Sequence, residues 1–110
     1  MSRKRRKAPP FVMIRIDLLK DPEWRKLSYS TMLLYIYLRT KFNYKTFSEV
    51  TLAYSEMKDM MSSKTIRKAF IELMDGGWIE RTKDGGLFGG VCKYKFIGPY
   101  KDFYYKGFVI

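Results

Sequence analysis

Apolar positions in this chain follow a helical period in its middle and a strand period after it. Ile66, Ala69, Phe70 and Leu73 recur at i, i+3, i+4 and i+7, a spacing that collects them on one side of a helix. The spacing predicts a helix over 64–75, with Ser62-Ser63 able to cap its free amides. Gly76-Gly77 stops it, because glycine enters the left-handed cap conformation without a side-chain clash. Upstream, Ser55 is placed as the N-cap of a shorter helix in which Met57, Met60 and Met61 share a core-facing side. Downstream the period falls to two. Trp78 to Lys83 reads as one strand and Val91 to Ile97 as its return, with Cys92, Tyr94 and Phe96 on one face and Lys93 and Lys95 on the other. The glycine-rich stretch from Asp84 to Gly90 reads as a flexible tip between them.

The N-terminal half carries its own punctuation. Phe11 to Ile16 is β-prone and predicts a short strand or extended segment. Asp21-Pro22-Glu23 is a helix start, with an acid as N-cap, proline at the first position and a second acid near the positive helix end. Trp24 and Leu27 would anchor that turn on the core. Ser28 caps a longer helix running to about Lys41, whose centre, Met32 to Leu38, is apolar nearly all round. More than one of its faces must therefore be covered, one by the core and the rest by terminal segments or a second subunit, which motivates a homodimer. Asn43 to Ser48 is a loop, and Glu49 to Leu52 fits a short strand pairing with the later hairpin. Gly98-Pro99 ends the return strand; Tyr100 to Ile110 reads as a packed extension or as a dimer contact.

A short helix, a tight turn and a second helix with basic and hydroxyl residues near its start form a helix-turn-helix. The run K-T-I-R-K-A-F-I-E-L-M-D-G-G-W-I-E-R resembles the recognition helix, glycine stop and first wing strand of winged helix-turn-helix proteins. In that family a helix ending in L-x-x-x-G precedes an aromatic or aliphatic residue, an isoleucine and a charged strand; here these are Leu73, Gly77, Trp78, Ile79 and Glu80-Arg81. The likeness covers roughly Leu27 to Ile97 and is similar to small winged-helix domains of bacterial, archaeal and mobile-element genomes, including those of replication initiators. It implies an α+β, mainly helical fold with three or four helices and a two- or three-stranded β-wing. The expected organisation is a disordered basic arm (1–10), a winged helix-turn-helix domain (11–97) and an aromatic extension (98–110) packed on the domain or on a partner subunit.

Charge sharpens this picture. The formal charge is +11, and Arg3, Lys4, Arg5, Arg6 and Lys7 supply five of those positives, leaving +6 on residues 11–110. A basic body with a basic arm favours a polyanionic partner, most often nucleic acid. The arm reads either as a solubilising tail or as a strand lying along phosphates or in a minor groove; a nuclear-localisation signal has the same composition. An apolar fraction of 46% in 110 residues supports one folded domain. No apolar run approaches the roughly 18 residues of a membrane span, and Pro9-Pro10 follows the basic start where a secretory leader would be apolar. The lone Cys92 forms no intrachain disulfide and fits a reducing, cytoplasmic and nucleoid-associated setting.

Enzyme chemistry finds little to work with. The chain has no histidine, so triads, zinc sites and haem sites lose their usual groups, and no metal, cofactor or small-molecule ligand is expected. Asp17, Asp59 and Asp75 lack metal-pair spacing, and nine tyrosines without an activating cluster do not make a nucleophile. Gly85-Gly86 and Gly89-Gly90 lack the Gly-Lys-Ser/Thr that opens a phosphate-binding helix.

For double-stranded DNA, the candidates on the 64–75 helix are Ser63, Lys64, Thr65, Arg67 and Lys68. Arg67 suits a guanine edge, Lys64 and Lys68 suit phosphates, and the hydroxyls suit either. Arg81, Lys83, Lys93 and Lys95 are the wing candidates for the flanking backbone, with Arg3 to Lys7 as the arm. The expectation is a small transcriptional regulator, or a replication or maintenance accessory factor of a mobile element. The alternative is a winged-helix protein–protein adaptor; base stacking of RNA on strand aromatics is a third reading.

Overall fold

The computed structural model describes residues 11–41, 49–83 and 92–101, which form four α-helices and a two-stranded antiparallel sheet, an α+β architecture. Residues 11–15 carry no regular structure, and α1 (Ile16–Lys20) begins where the expected extended segment was to end. The Arg15 guanidinium grips the Asp17 carboxylate at 3.0 and 2.6 Å, while Leu18 sinks completely into the core. Asp21 then accepts the Glu23 amide at 2.8 Å and Pro22 occupies the first position of α2 (Pro22–Arg25). This is the expected start, and Trp24 and Leu27 are buried behind it.

Helix α3 (Tyr29–Arg39) is capped by Ser28, whose hydroxyl accepts the Thr31 amide at 3.2 Å. Leu34, Tyr35 and Leu38 face the core, while Tyr29 and Leu33 are left 86% and 40% exposed. Arg39, at the end of this apolar helix, is 4% exposed. Its guanidinium donates to the Lys101 carbonyl at 3.1 Å, to the Tyr100 carbonyl and to the Tyr35 hydroxyl at 3.2 Å, and lies 3.8 Å over the Phe96 ring. Arg39 therefore ties residues 100–101 to α3.

The next segment departs from expectation. In place of a short helix capped by Ser55, one 3₁₀ turn spans Tyr54–Glu56 with Ala53 as its N-cap, and the chain then turns through Met57 to Met60. The Glu56 carboxylate folds back onto the Ala53 amide at 3.1 Å, closing the turn, and pairs with Lys41 of the α3 exit at 2.5 Å. A single helical turn, from the Met61 amide to the Met57 carbonyl at 3.0 Å, keeps Met57 and Met61 on the core as expected, and Met60 alone leaves that side. Met57 is fully buried, Met61 is half-buried and Met60 is 49% exposed.

Helix α4 (Ser63–Asp75) follows as expected, with the Ser62 hydroxyl accepting the Thr65 amide at 3.2 Å. Ile66, Ala69, Phe70 and Leu73 are all buried. At its end Gly77 takes φ 79°, the Gly77 amide reaches the Met74 carbonyl at 3.2 Å, and the Trp78 amide reaches back to Leu73 at 2.9 Å. This paired closure satisfies carbonyls the helix would otherwise leave open and swings Trp78 into the core. Trp24, Tyr35 and Trp78 meet edge-on at 5.3–5.9 Å, with Phe96 against Tyr35 at 5.4 Å, the offset geometry that ring quadrupoles favour.

Strands β1 (Ile79–Lys83) and β2 (Lys93–Phe96) pair antiparallel, Ile79 opposite Phe96 and Arg81 opposite Tyr94. The expected strand over Glu49–Leu52 is reduced to a single bridge, Val50 to Tyr94, with bonds of 2.7 and 2.9 Å. Its chain turns away at once into the 3₁₀ turn.

Candidate nucleic-acid interface

The burial pattern of α4 fixes which side chains it offers outward. At about 100° per residue, Lys64, Lys68, Ile71 and Asp75 fall within about 30° of the direction opposite the buried row. Lys64, Lys68, Ile71 and Asp75 are all exposed. Arg67 is also exposed, but stands about 70° off that ridge, on the flank it shares with Ser63. The opposite flank belongs to α3. There the Glu72 carboxylate accepts from the Ser28 amide (3.2 Å), the Ser28 hydroxyl (3.2 Å) and the Thr31 hydroxyl (2.5 Å). The positive end of α3 thus already holds an internal anion, and this clamp fixes α4 against α3.

Charge is sorted along the helix: Lys64, Arg67 and Lys68 lie in its first half, Glu72 and Asp75 in its second. Among the described residues, no carboxylate pairs with any of these three cations. Thr65 is different from its neighbours. It is half-buried, and its hydroxyl accepts from Ser62 at 3.0 Å, so it completes the helix cap as much as it faces outward. Thr65, Lys68, Ile71 and Asp75 line one side of a shallow cleft of about 570 Å³, with Ser28, Ser30 and Thr31 on the other.

The four hairpin cations do not share one face. Arg81 sits opposite Tyr94, on the face of β1 that carries buried Ile79, and is itself exposed with its guanidinium 6.0 Å from the Tyr94 ring. A bulge then changes the parity of β1: Glu80 pairs with Lys95 and Arg81 with Tyr94, but Lys83, not Thr82, pairs with Lys93. One extra residue in a strand moves everything beyond it to the other face. Lys83 therefore joins Lys93 and Lys95 on the outer side, directly opposite Lys93, and like charges so placed repel. The arm cations Arg3, Lys4, Arg5, Arg6 and Lys7, the tip 84–90 and residues 102–110 lie outside the described residues.

The perturbed ionisable groups belong to the scaffold. Burial, with Cys92 adding to it, pushes the Tyr94 phenol up to about 12. Burial also raises Tyr35. Glu56 is held below the usual carboxylate range by its bond to Lys41 and then by the Ala53 amide. Among the described residues no group of three metal-binding side chains gathers, and no helix is long and apolar enough to cross a membrane.

Two anchoring residues gave no usable signal in the sequence. Glu72 and Arg39 look like ordinary helix-surface charges, and their partners lie 44 and 62 residues away. Comparison with protein-family models, curated proteins and solved structures found no match to this chain.

Proposed function

We propose that this protein binds double-stranded DNA in the manner of a winged helix, with α4 in the major groove, a 3₁₀ turn standing where the preceding short helix was expected, and the β1–β2 hairpin on the flanking backbone. The observation that carries this reading is the set of cations on the first half of α4, free of acidic partners among the described residues and directed away from the core. An α-helix fits the major groove, and cations at its leading end meet the phosphate walls and the acceptor edges of guanine. Lys64 and Lys68 occupy the ridge and suit phosphates on either side; Arg67, on the flank, suits a bidentate contact to a base edge. The acids at the far end of α4 orient the helix, since only its N-terminal half is attracted to a polyanion. Lys83, Lys93 and Lys95 form the backbone grip on one face of the hairpin, and the exposed Arg81 adds a cation on the other, beside Tyr94. The role we favour is that of a small regulator or a replication or maintenance accessory factor.

Fluorescence anisotropy with duplex DNA across a salt series tests this. About six neutralised phosphates give a log–log slope near −5, and removing two contacts makes it shallower by about 1.8. Lys83→Ala/Lys93→Ala should flatten the slope by about that much, and Arg67→Ala/Lys68→Ala by about half as much, because Lys68 alone of that pair is placed on phosphate. The hairpin variant should also raise thermal stability slightly, because it removes a like-charge pair worth a few tenths of a kcal/mol. Binding unaffected by the α4 variant would remove α4 from the interface; absence of binding at low salt would favour the protein–protein adaptor reading.

A further inference from the structure

We infer that Ile71 reads sequence, by placing its side chain against the C5-methyl group of a thymine. This rests on the DNA-binding reading above and extends it from affinity to base choice. Ile71 stands on the outward ridge of α4 and is 44% exposed. Lys68 precedes it by about 4.5 Å along the helix axis and Lys64 by about 10 Å, so all three fit within one passage of a groove about 12 Å wide. Asp75 follows one turn later, where phosphate would be repelled. Ile71 is thus the last residue of the ridge that can lie close to a polyanion.

Part of the Ile71 side chain lines the cleft against Ser28, Ser30 and Thr31, and the rest stays open to solvent. Ile71 stands outside the row through which α4 reaches the core, Ile66, Ala69, Phe70 and Leu73. On an exposed helix position, a β-branched side chain is also a poorer helix former than the lysines or glutamates around it. Against a base edge the choice becomes intelligible. Of the groups displayed in the major groove, the thymine methyl is the apolar one, and a short branched aliphatic side chain covers it without leaving a polar group unpaired. Neighbouring Lys68 holds the backbone and Arg67 is free to take an adjacent guanine.

The test uses the full chain and a duplex selected by it from random sequence. Each thymine is replaced in turn by deoxyuridine, which removes the methyl group and leaves every hydrogen-bonding atom in place. Affinity is measured by anisotropy at one salt concentration for the wild type and for Ile71→Ala, after circular dichroism has shown both to be folded. Burial of one methyl corresponds to about a fourfold change in affinity. The expected result is one thymine at which the replacement weakens the wild type about fourfold and leaves Ile71→Ala unchanged. Equal loss in both proteins, or no thymine with any effect, overturns the assignment to Ile71 while DNA binding stands. Failure to bind or select any duplex overturns both readings together.

Discussion

Replacing Glu72 by alanine should loosen the contact that sets α4 against α3, although the residue lies on a helix surface and touches no apolar core. Its carboxylate receives the Ser28 amide, the Ser28 hydroxyl and the Thr31 hydroxyl at 3.2, 3.2 and 2.5 Å. Thr31 is 1% exposed, so water does not readily replace the lost acceptor. One good hydrogen bond to a charged group contributes about 1.5–3 kcal/mol, and the two longer ones contribute less. A negative charge at a helix N-terminus adds about 0.3–1 kcal/mol. Once Glu72 is gone the Ser28 and Thr31 hydroxyls, 2.7 Å apart, can bond to each other, which returns part of the loss. The balance is about 2 kcal/mol for Glu72→Ala, or about 10 °C in Tm for a domain of this size. Glu72→Gln retains an acceptor without the charge and should lose about 1 kcal/mol. Urea unfolding followed by circular dichroism at pH 7 measures both, with an unchanged m-value as the sign that the native state stays intact. If both variants fall within about 0.5 kcal/mol of wild type, Glu72 is an ordinary surface residue and the proposed clamp does not hold α4 in place.

Two further outcomes follow from the same reasoning. Arg39→Ala should cost about 3 kcal/mol, and Arg39→Lys most of that, because an ammonium cannot fork to two carbonyls and lie flat on Phe96 at once; a lysine variant that melts with the wild type would sink this account. Tyr94 has a folded-state pKa raised to about 12 from the ordinary 10.0, so its neutral phenol contributes stability in full below pH 10 and loses it as pH rises towards 12. Tyr35, raised by burial, acts in the same direction. Absorbance at 295 nm and circular dichroism, titrated together, should show unfolding accompanying late tyrosine ionisation, with Tyr94→Phe shifting the transition to higher pH. An unshifted transition would mean that Tyr94 ionises without opening the core.

The local elements of this chain were legible because their causes are local. Asp21 with Pro22, Ser28 and Ser62 start helices where the sequence places them, since a capping oxygen serves amides two or three residues away. Gly77 ends α4 because a positive φ is cheap only for glycine. Periods of 3.6 and 2 sorted Ile66, Ala69, Phe70, Leu73, Tyr94 and Phe96 into the core for the same reason. The cationic half of α4 was visible too, as a row of residues. Tertiary structure decided what these pieces do together. Glu72 and Arg39 are clamps only because folding brings Ser28 and the 100–101 carbonyls to them. Glu56, which closes its 3₁₀ turn locally on the Ala53 amide, meets Lys41 fifteen residues away only once the chain has folded. Whether Lys83 shares a face with Lys93 or with Arg81 depends on a single extra residue in the strand pairing. Sequence spacing carries information over one or two turns of chain, whereas facing, register and long-range charge pairing are settled by contacts that exist only in the folded molecule.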